Sequence, residues 1–307
     1  MKKPLVSILM NCYNGEKYLN KSLDSILSQS LNDWELIFWD NQSTDNSASI
    51  FKKYKDKRFK YYYSKVHTGL GKARESAYAK LTGKYIAILD TDDIWEPKKL
   101  EKQIQFFDDS KVGIVVSNTK IFNEQRSINL LDKNFNPPLW SFKTLLENYF
   151  ISLETLVMKK SSIDKLKKNF DGKYNLIADF DLVIRLSKEV KMRYCPEVLS
   201  GWRIHESNDT FKNPKMFVYE KEVWFAEQIK NGLFKSNEKE KDTFINNLSR
   251  QKALYKLIDY KRMQSLKIFI NLKTKTIKDY ILILLTLIPF SPILIRLILT
   301  KRSKFGL

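Results

Sequence analysis

Cysteine and histidine are scarce in this 307-residue chain, with two of each. Cys12 and Cys195 lie far apart and outside any CxxC or His-rich spacing, which excludes a disulfide framework and a structural zinc site and fits a reducing compartment. The N-terminus, Met1-Lys2-Lys3-Pro4 followed by a short apolar run, lacks the longer hydrophobic region and small-residue cleavage site of a signal peptide. Export is not expected. Glycine-rich turns are missing too. After the first apolar run stands Asn11-Cys12-Tyr13-Asn14-Gly15-Glu16, neither a GxGxxG turn nor a basic triphosphate loop, which argues against a dehydrogenase and a nucleotidyltransferase.

Hydrophobic residues make up 43% of the chain and aromatics 13%, enough to bury one large core or two modest ones. The formal charge of +19 is unevenly spread. Residues 1–110 hold 18 Lys+Arg against 15 Asp+Glu, residues 111–210 hold 16 against 12, and residues 211–307 hold 20 against 8. That excess adjoins the apolar run Tyr280–Leu299 rather than an aromatic groove, so a membrane surface is the expected partner and nucleic acid is not. A span needs about 20 apolar residues. Pro289 and Pro292 would break the helix and Arg296 would sit in the hydrocarbon, so the run reads as two short helices in the interface. A true span and a core or dimer helix pair stand as alternatives. Basic residues on both flanks favour the anionic cytoplasmic leaflet, at roughly 1 kcal/mol each.

The first 120 residues alternate strand and helix patterns, the form of an α/β sheet with flanking helices. Leu5–Met10, Trp34–Trp39, Arg58–Tyr63, Tyr85–Leu89 and Val112–Ser117 read as strands. A helix after the first strand places Leu19, Leu23, Ile26 and Leu27 on one stripe. Ser43-Thr44-Asp45 supplies N-cap candidates for a helix burying Ile50, Phe51 and Tyr54. A further helix runs over 70–81 with Gly83 as a left-handed C-cap, and Pro97 opens another from its first turn. Past residue 117 come mixed segments, including Asn136-Pro137-Pro138 and a helix over 179–189, and then polar helices over 211–275.

Polar residues gather at the carboxyl ends of the strands: Asn11 and Tyr13, then Asp40 and Asn41, then Asp90-Thr91-Asp92-Asp93. Ligands of open α/β sheets bind along that edge. Three carboxylates within four residues repel one another unless a cation or strong donors attend them, and hard divalent ions suit such oxygens. The alternative is that these aspartates cap the helix near Pro97.

Val6-Ser7-Ile8 through Asn14, Ser25–Ser30, Trp39–Asp45, Gly83–Asp93 and Trp95-Glu96-Pro97, in that order, resemble the family 2 inverting glycosyltransferases with the GT-A fold. The likeness covers residues 4–110 well and extends more faintly to about residue 210. It implies a nucleotide-sugar donor, a glycan or lipid-linked acceptor, and Mn²⁺ or Mg²⁺. It also implies a donor-binding part over 1–110 and an acceptor part over 111–210, to which the residues add a helical extension over 211–275 and a membrane-associating segment over 276–307. The chain would attach, peripherally or monotopically, to the inner face of the cell membrane.

By the same resemblance Asn11 and Tyr13 meet the nucleotide base. Asp40 and Asn41 stand where paired aspartates hold uracil and ribose, although Asn41-Gln42 departs from the commoner Asp-Gly. Arg74 and Asp90 lie near the nucleotide, and Asp92, Asp93 and His205 near the metal. Asp179 takes the place of the catalytic base, with Ala178 replacing the usual preceding glutamate. Asp181 is a second-ranked base, and Arg203 a further donor near the diphosphate. Each has a plainer reading: turn residues for Asp40 and Asn41, a solvated helix residue for Arg74, dipole-favoured helix acids for Asp179 and Asp181. A structural role is the plainer reading of His205.

Overall fold

Apolar segments that are buried on both faces suit parallel pairing, and the first four strands pair in that way. The computed structural model describes residues 3–131, 142–288 and 293. Strands β1 (Val6–Cys12), β2 (Trp34–Asp40), β3 (Phe59–Tyr63) and β4 (Tyr85–Ile88) run parallel in the order β3-β2-β1-β4. Val6 stands level with both Trp34 and Tyr85. Their carboxyl ends therefore reach one edge, which carries Asn11, Asp40 and Asp90. The sheet continues through β5 (Ile94–Trp95), β6 (Val112–Phe122), β7 (Ser127–Asn129), β8 (Val157–Lys159) and β9 (Lys191–Arg203). Its full order is β3-β2-β1-β4-β8-β6-β9-β5, with β7 on β6. The expected donor and acceptor parts thus share one mixed sheet.

Helices α1 (Glu16–Leu27), α2 (Ser47–Lys53), α3 (Leu70–Tyr78) and α4 (Lys99–Ile104) follow the first strands, and α5 (Phe142–Glu147), α6 (Lys160–Ile163) and α7 (Ala178–Ser187) come later. The stripe on α1 closes on the sheet: Leu19, Leu23 and Ile26 are fully buried with Ile8, Met10 and Phe38. Truncating one of them to Ala would remove about 2–5 kcal/mol. Phe51 of α2 stacks on Phe38 with centroids 4.2 Å apart, while Ile50 and Tyr54 are only partly buried.

Two local expectations are corrected. Helix α3 ends at Tyr78, and Gly83 is not left-handed. Its N–H donates to Ser7 Oγ at 2.7 Å, and a Cβ there would stand 2.5 Å from Ser7 N. Close backbone approach, not a cap, calls for this glycine. Pro97 lies in a turn ahead of α4, whose N-cap is Lys98.

Contacts divide the chain into two units. One comprises Met1–Leu145 with Tyr149–His205, the other Leu146–Asn148 with Glu206–Leu307. The second contains α8 (Asp209–Lys212), α9 (Pro214–Lys230), α10 (Glu238–Ile258), α11 (Arg262–Ile270) and α12 (Ile277–Leu287). Trp224, Phe234 and Phe244 form one aromatic contact group, and Ala253, Phe269 and Leu272 form a small core joined by Leu282 and Ile283. Among the described residues no helix is long and apolar enough to cross a membrane. The 11 residues of α12 reach about 16 Å against about 30 Å of hydrocarbon. The expected second short helix beyond Pro289, with Arg296, and the Asn136-Pro137-Pro138 segment lie outside the described residues.

Candidate active site

The turn after β4 is held from three sides. Helix α1 brings Ser22 Oγ to 2.8 and 2.7 Å from the carbonyls of Thr91 and Asp93. Gly15 packs so tightly on Thr91 that a Cβ would lie 2.7 Å from its Oγ1. Strand β5 pairs antiparallel with β9, Ile94 opposite Gly201, which sets Arg203 beside the aspartates. Arg203 N donates to Asp93 Oδ1 at 2.9 Å and Arg203 Nε to the Asp92 carbonyl at 2.8 Å. Its guanidinium lies between the rings of Tyr18 and Phe122, at 4.6 and 4.4 Å.

The three aspartates face different ways. Asp90 Oδ1 and Oδ2 accept from Arg74 Nη2 at 3.0 and 3.2 Å. Asp92 Oδ2 lies 2.9 Å from His205 Nε2, with both side chains partly accessible. Asp93 is 4% exposed, and burial, reinforced by Asp92, Glu154 and Asp90, pushes its carboxyl far above the usual range. It was expected beside Asp92 as a metal ligand, yet it faces the protein interior. None of the three caps α4, whose N-cap makes no side-chain hydrogen bond.

Among the described residues no group of three or more His, Cys, Asp or Glu side chains converges to hold an ion. Asp92 and His205 do converge, and a carboxylate with an imidazole is a competent partial donor set for Mn²⁺ or Mg²⁺, whose remaining positions are commonly filled by phosphate and water.

At the end of β1, Asn11 is 8% exposed and neither amide atom has a hydrogen-bond partner. Buried polar groups are usually paired, so such an exception suits a ligand-facing position. Tyr13 is 52% exposed, and its ring lies 4.2 Å from that of His67. Asn14, at φ 54°, takes the left-handed turn between them and α1. The Ser43-Thr44-Asp45 segment clasps this loop: Ser43 Oγ accepts from Asn14 N, and Asp45 from Glu16 N. Its expected capping role reduces to Asp45 accepting from Ser47 N at 2.9 Å.

Asp40 and Asn41, expected at the base, are each held by partners within the protein. Asp40 is fully buried, accepting from Ser43 N at 2.7 Å and Tyr61 Oη at 2.6 Å. Asn41 is 4% exposed and donates to the Thr68 carbonyl at 2.7 Å, while its own carbonyl accepts from His67 Nδ1 at 2.9 Å. A carbonyl cannot donate, so Nδ1 donates in this contact. This pair shapes the loop that presents His67.

Arg74 is 3% exposed on the buried side of α3, which removes its solvated-helix reading, and its Nε has no hydrogen-bond partner. Two glycines let α3 approach the loop before α7: a Cβ on Gly69 would lie 2.3 Å from Asn175 Oδ1, one on Gly71 would lie 1.8 Å from the Tyr174 carbonyl, and Asn175 Oδ1 accepts from Gly71 N. Asp179 opens α7. Burial raises its carboxyl pKa, opposed by Arg74, by its own and the Phe180 amides, and by Tyr149. Tyr149 Oη donates to Asp179 Oδ2 at 3.4 Å. Burial raises Asp90 as well, with Arg74 opposing and Asp92 and Asp179 adding to the rise. Arg74, Asp90 and Asp179 therefore sense one another electrostatically. Asp181 does not join them. Its side chain is 2% exposed and accepts from Arg185 Nε and Nη2, the latter at 2.6 Å. That ion pair corrects the second-ranked base to a structural residue.

The sequence reading missed His67, Tyr149 and Tyr18, whose ring lies 4.9 Å from that of His205. The rarity of histidine was the one available signal for His67; nothing marked the tyrosines among 15.

Residues 7–165 match the family described as Glycosyl transferase family 2. An uncharacterized glycosyltransferase of Methanocaldococcus jannaschii is 32% identical over 293 residues, covering 90% of this chain and 96% of its own. A UDP-Glc:alpha-D-GlcNAc-diphosphoundecaprenol beta-1,3-glucosyltransferase of Escherichia coli is 29% identical, over 66% of this chain and 79% of its own. Among solved structures, S. aureus TarS superposes with a TM-score of 0.63 at 17% identity, covering 81% of this chain, which spans only 43% of that longer one. The mannosyltransferase PcManGT of Pyrobaculum calidifontis, solved with GDP-Man and Mn²⁺, gives 0.58 at 16% identity, covering 75% of this chain and 65% of its own. With the mixed sheet and its polar edge in agreement, this chain belongs to glycosyltransferase family 2 and has the GT-A fold.

Proposed function

We propose that the chain transfers a sugar from a UDP-sugar to a hydroxyl of a glycan or lipid-linked acceptor, with inversion, in one displacement at the cytoplasmic face of the membrane. The observation that carries this reading is the Arg74–Asp90 ion pair, 3.0 Å long, at the end of β4, with Asp179 in the first turn of α7 near enough for the Arg74 charge to oppose its burial. Asp179 takes the proton of the acceptor hydroxyl as its oxygen bonds to the anomeric carbon. The bond from that carbon to the diphosphate breaks in the same step. A carboxylate whose pKa is raised by burial is a stronger base than an exposed one. Tyr149 orients it.

Tyr13 offers a ring face to the base, and His67, packed beside Tyr13, accepts the base's N–H through Nε2. A uracil ring presents a single N–H donor, which one acceptor satisfies, and the Escherichia coli relative is named for a UDP-sugar. Asn11 supplies the adjoining amide. Asp92 and His205 would hold Mn²⁺ or Mg²⁺, which when bound supplies positive charge at the leaving diphosphate. Asp93 and Arg203 keep Asp92 in place.

Titration calorimetry with UDP-, GDP- and dTDP-sugars, with and without Mn²⁺, tests the assignment. A UDP-sugar should bind at least about tenfold tighter with the ion, and Asp92→Ala or His205→Ala should erase that gain. Equal affinity with and without Mn²⁺, unaltered by Asp92→Ala, would refute the metal assignment.

A further inference from the structure

Helix α12 has two unlike faces. Inward, Leu282 and Ile283 pack on Ala253, Phe269 and Leu272, and Asp279 accepts two hydrogen bonds from Arg250 Nε, at 2.9 and 3.0 Å. Outward, Ile277, Tyr280, Ile281, Leu284, Leu287 and the following Ile288 are 48–80% exposed. Their spacing is that of a single helical stripe. Both ends of the helix are fixed: Thr276 and Asp279 form a capping box, and Arg262 Nε donates to the Thr286 carbonyl at 2.8 Å.

The surrounding charge identifies what covers this stripe. Residues 260–307 contain ten Lys+Arg and one acidic residue, Asp279, which is 1% exposed and already paired with Arg250. Lys275 and Lys278 flank the start of the stripe, Lys273 beside them is paired with Asp242 at 2.6 Å, and Lys301, Arg302 and Lys304 follow in sequence. A second copy of the chain would bring the same strong positive charge to the same face. An anionic lipid surface complements both the apolar stripe and the cations.

We propose that α12 lies flat in the interface of an anionic bilayer, with Ile281 and Leu284 at the centre of the inserted face. Its length forbids a crossing. The inference goes beyond the transfer reaction. Lipid binding is read without donor or acceptor, so failure here leaves the catalytic reading untouched, and the converse also holds.

The test is flotation of the full-length protein with vesicles of phosphatidylcholine alone or mixed with phosphatidylglycerol. Phosphatidylglycerol vesicles should bind at least about tenfold tighter, and the difference should shrink as added salt shortens the screening length. Ile281→Glu/Leu284→Glu should lower binding to these vesicles at least about tenfold, with thermal unfolding and donor binding unchanged. Lys278→Gln, which removes one charge and leaves the stripe intact, should weaken it about fivefold. The proposal is overturned if the wild-type chain fails to float with phosphatidylglycerol vesicles, or if the double variant floats as well as wild type. It is equally overturned if the wild type is a lipid-free dimer that the double variant converts to monomer, because a second copy then covers the stripe.

Discussion

Replacing Asp179 by Asn removes a proton acceptor but keeps the side chain's shape and an oxygen for the amides at the start of α7. General-base removal lowers turnover by about 10²–10⁴. That corresponds to about 2.7–5.4 kcal/mol of barrier. The site argues for the upper part of the range, because burial raises this carboxyl above its ordinary 3.8 and so makes it a stronger base. The same shift sets the sign of the stability effect. A carboxyl whose folded pKa lies above its unfolded one stabilises the fold below the unfolded value, and that contribution is lost as pH rises through the folded value. At neutral pH the ionised Asp179 therefore weighs against the fold, although Arg74 and the Phe180 amide offset part of the effect. The Asn variant should melt at the same or a higher temperature at pH 7, and any gain should disappear below the unfolded pKa. Single-turnover transfer, donor calorimetry and thermal melts at the two pH values measure all three quantities. Turnover within tenfold of wild type, or a melt several degrees lower at pH 7, would refute the assignment. Asp181→Asn is the contrast: it breaks a buried pair with Arg185 and should remove about 3–5 kcal/mol of stability, while activity per folded molecule survives.

Gly71→Ala should destabilise the first unit by more than about 1–3 kcal/mol, because its Cβ would meet the Tyr174 carbonyl, and it should depress kcat by displacing Arg74; urea unfolding and kinetics read both. Lys99 is fully buried, 2.6 Å from Gln103 Oε1 and over the Trp95 ring, and burial pushes its pKa down to about 7. An ammonium group with a lowered folded pKa weakens the fold most below that value, and stability recovers as pH climbs toward the unfolded value of 10.5. Lys99→Met should therefore stabilise by about 1–4 kcal/mol at pH 6 and by clearly less at pH 9; an equal gain at both would show that Lys99 is not held near neutrality.

Much of the site was legible in the sequence because strand ends and helix starts are local. Asn11, Asp90 and Asp179 lie on elements whose apolar periodicity announces them, and a position beside a strand end or in a first helical turn follows from counting. What counting cannot supply is the direction of each side chain at a turn. Asp40, Asn41 and Asp93 were grouped with neighbours that face the ligand edge, yet each points inward to a partner from another segment: Tyr61, Thr68 and the Arg203 amide. Asp181 shares the first turn of α7 with Asp179, but Arg185, one turn on, claims it.

By itself the sequence determined the family, the parallel half of the sheet, the cluster at residues 90–93 and the gathering of positive charge toward the C-terminus. These depend on composition, periodicity and the order of short motifs, all of which are carried by neighbouring residues. The resemblance places Asp92 and His205 near one metal, and the tertiary structure shows their direct contact across 113 residues, through the antiparallel pairing of β5 with β9. Only the tertiary structure decided that His67 and Tyr13 lie against each other, that Asn41 holds His67, and that α12 turns an apolar stripe outward. Long-range pairing fixes which face of each element is covered, and a side chain's partner follows from that face.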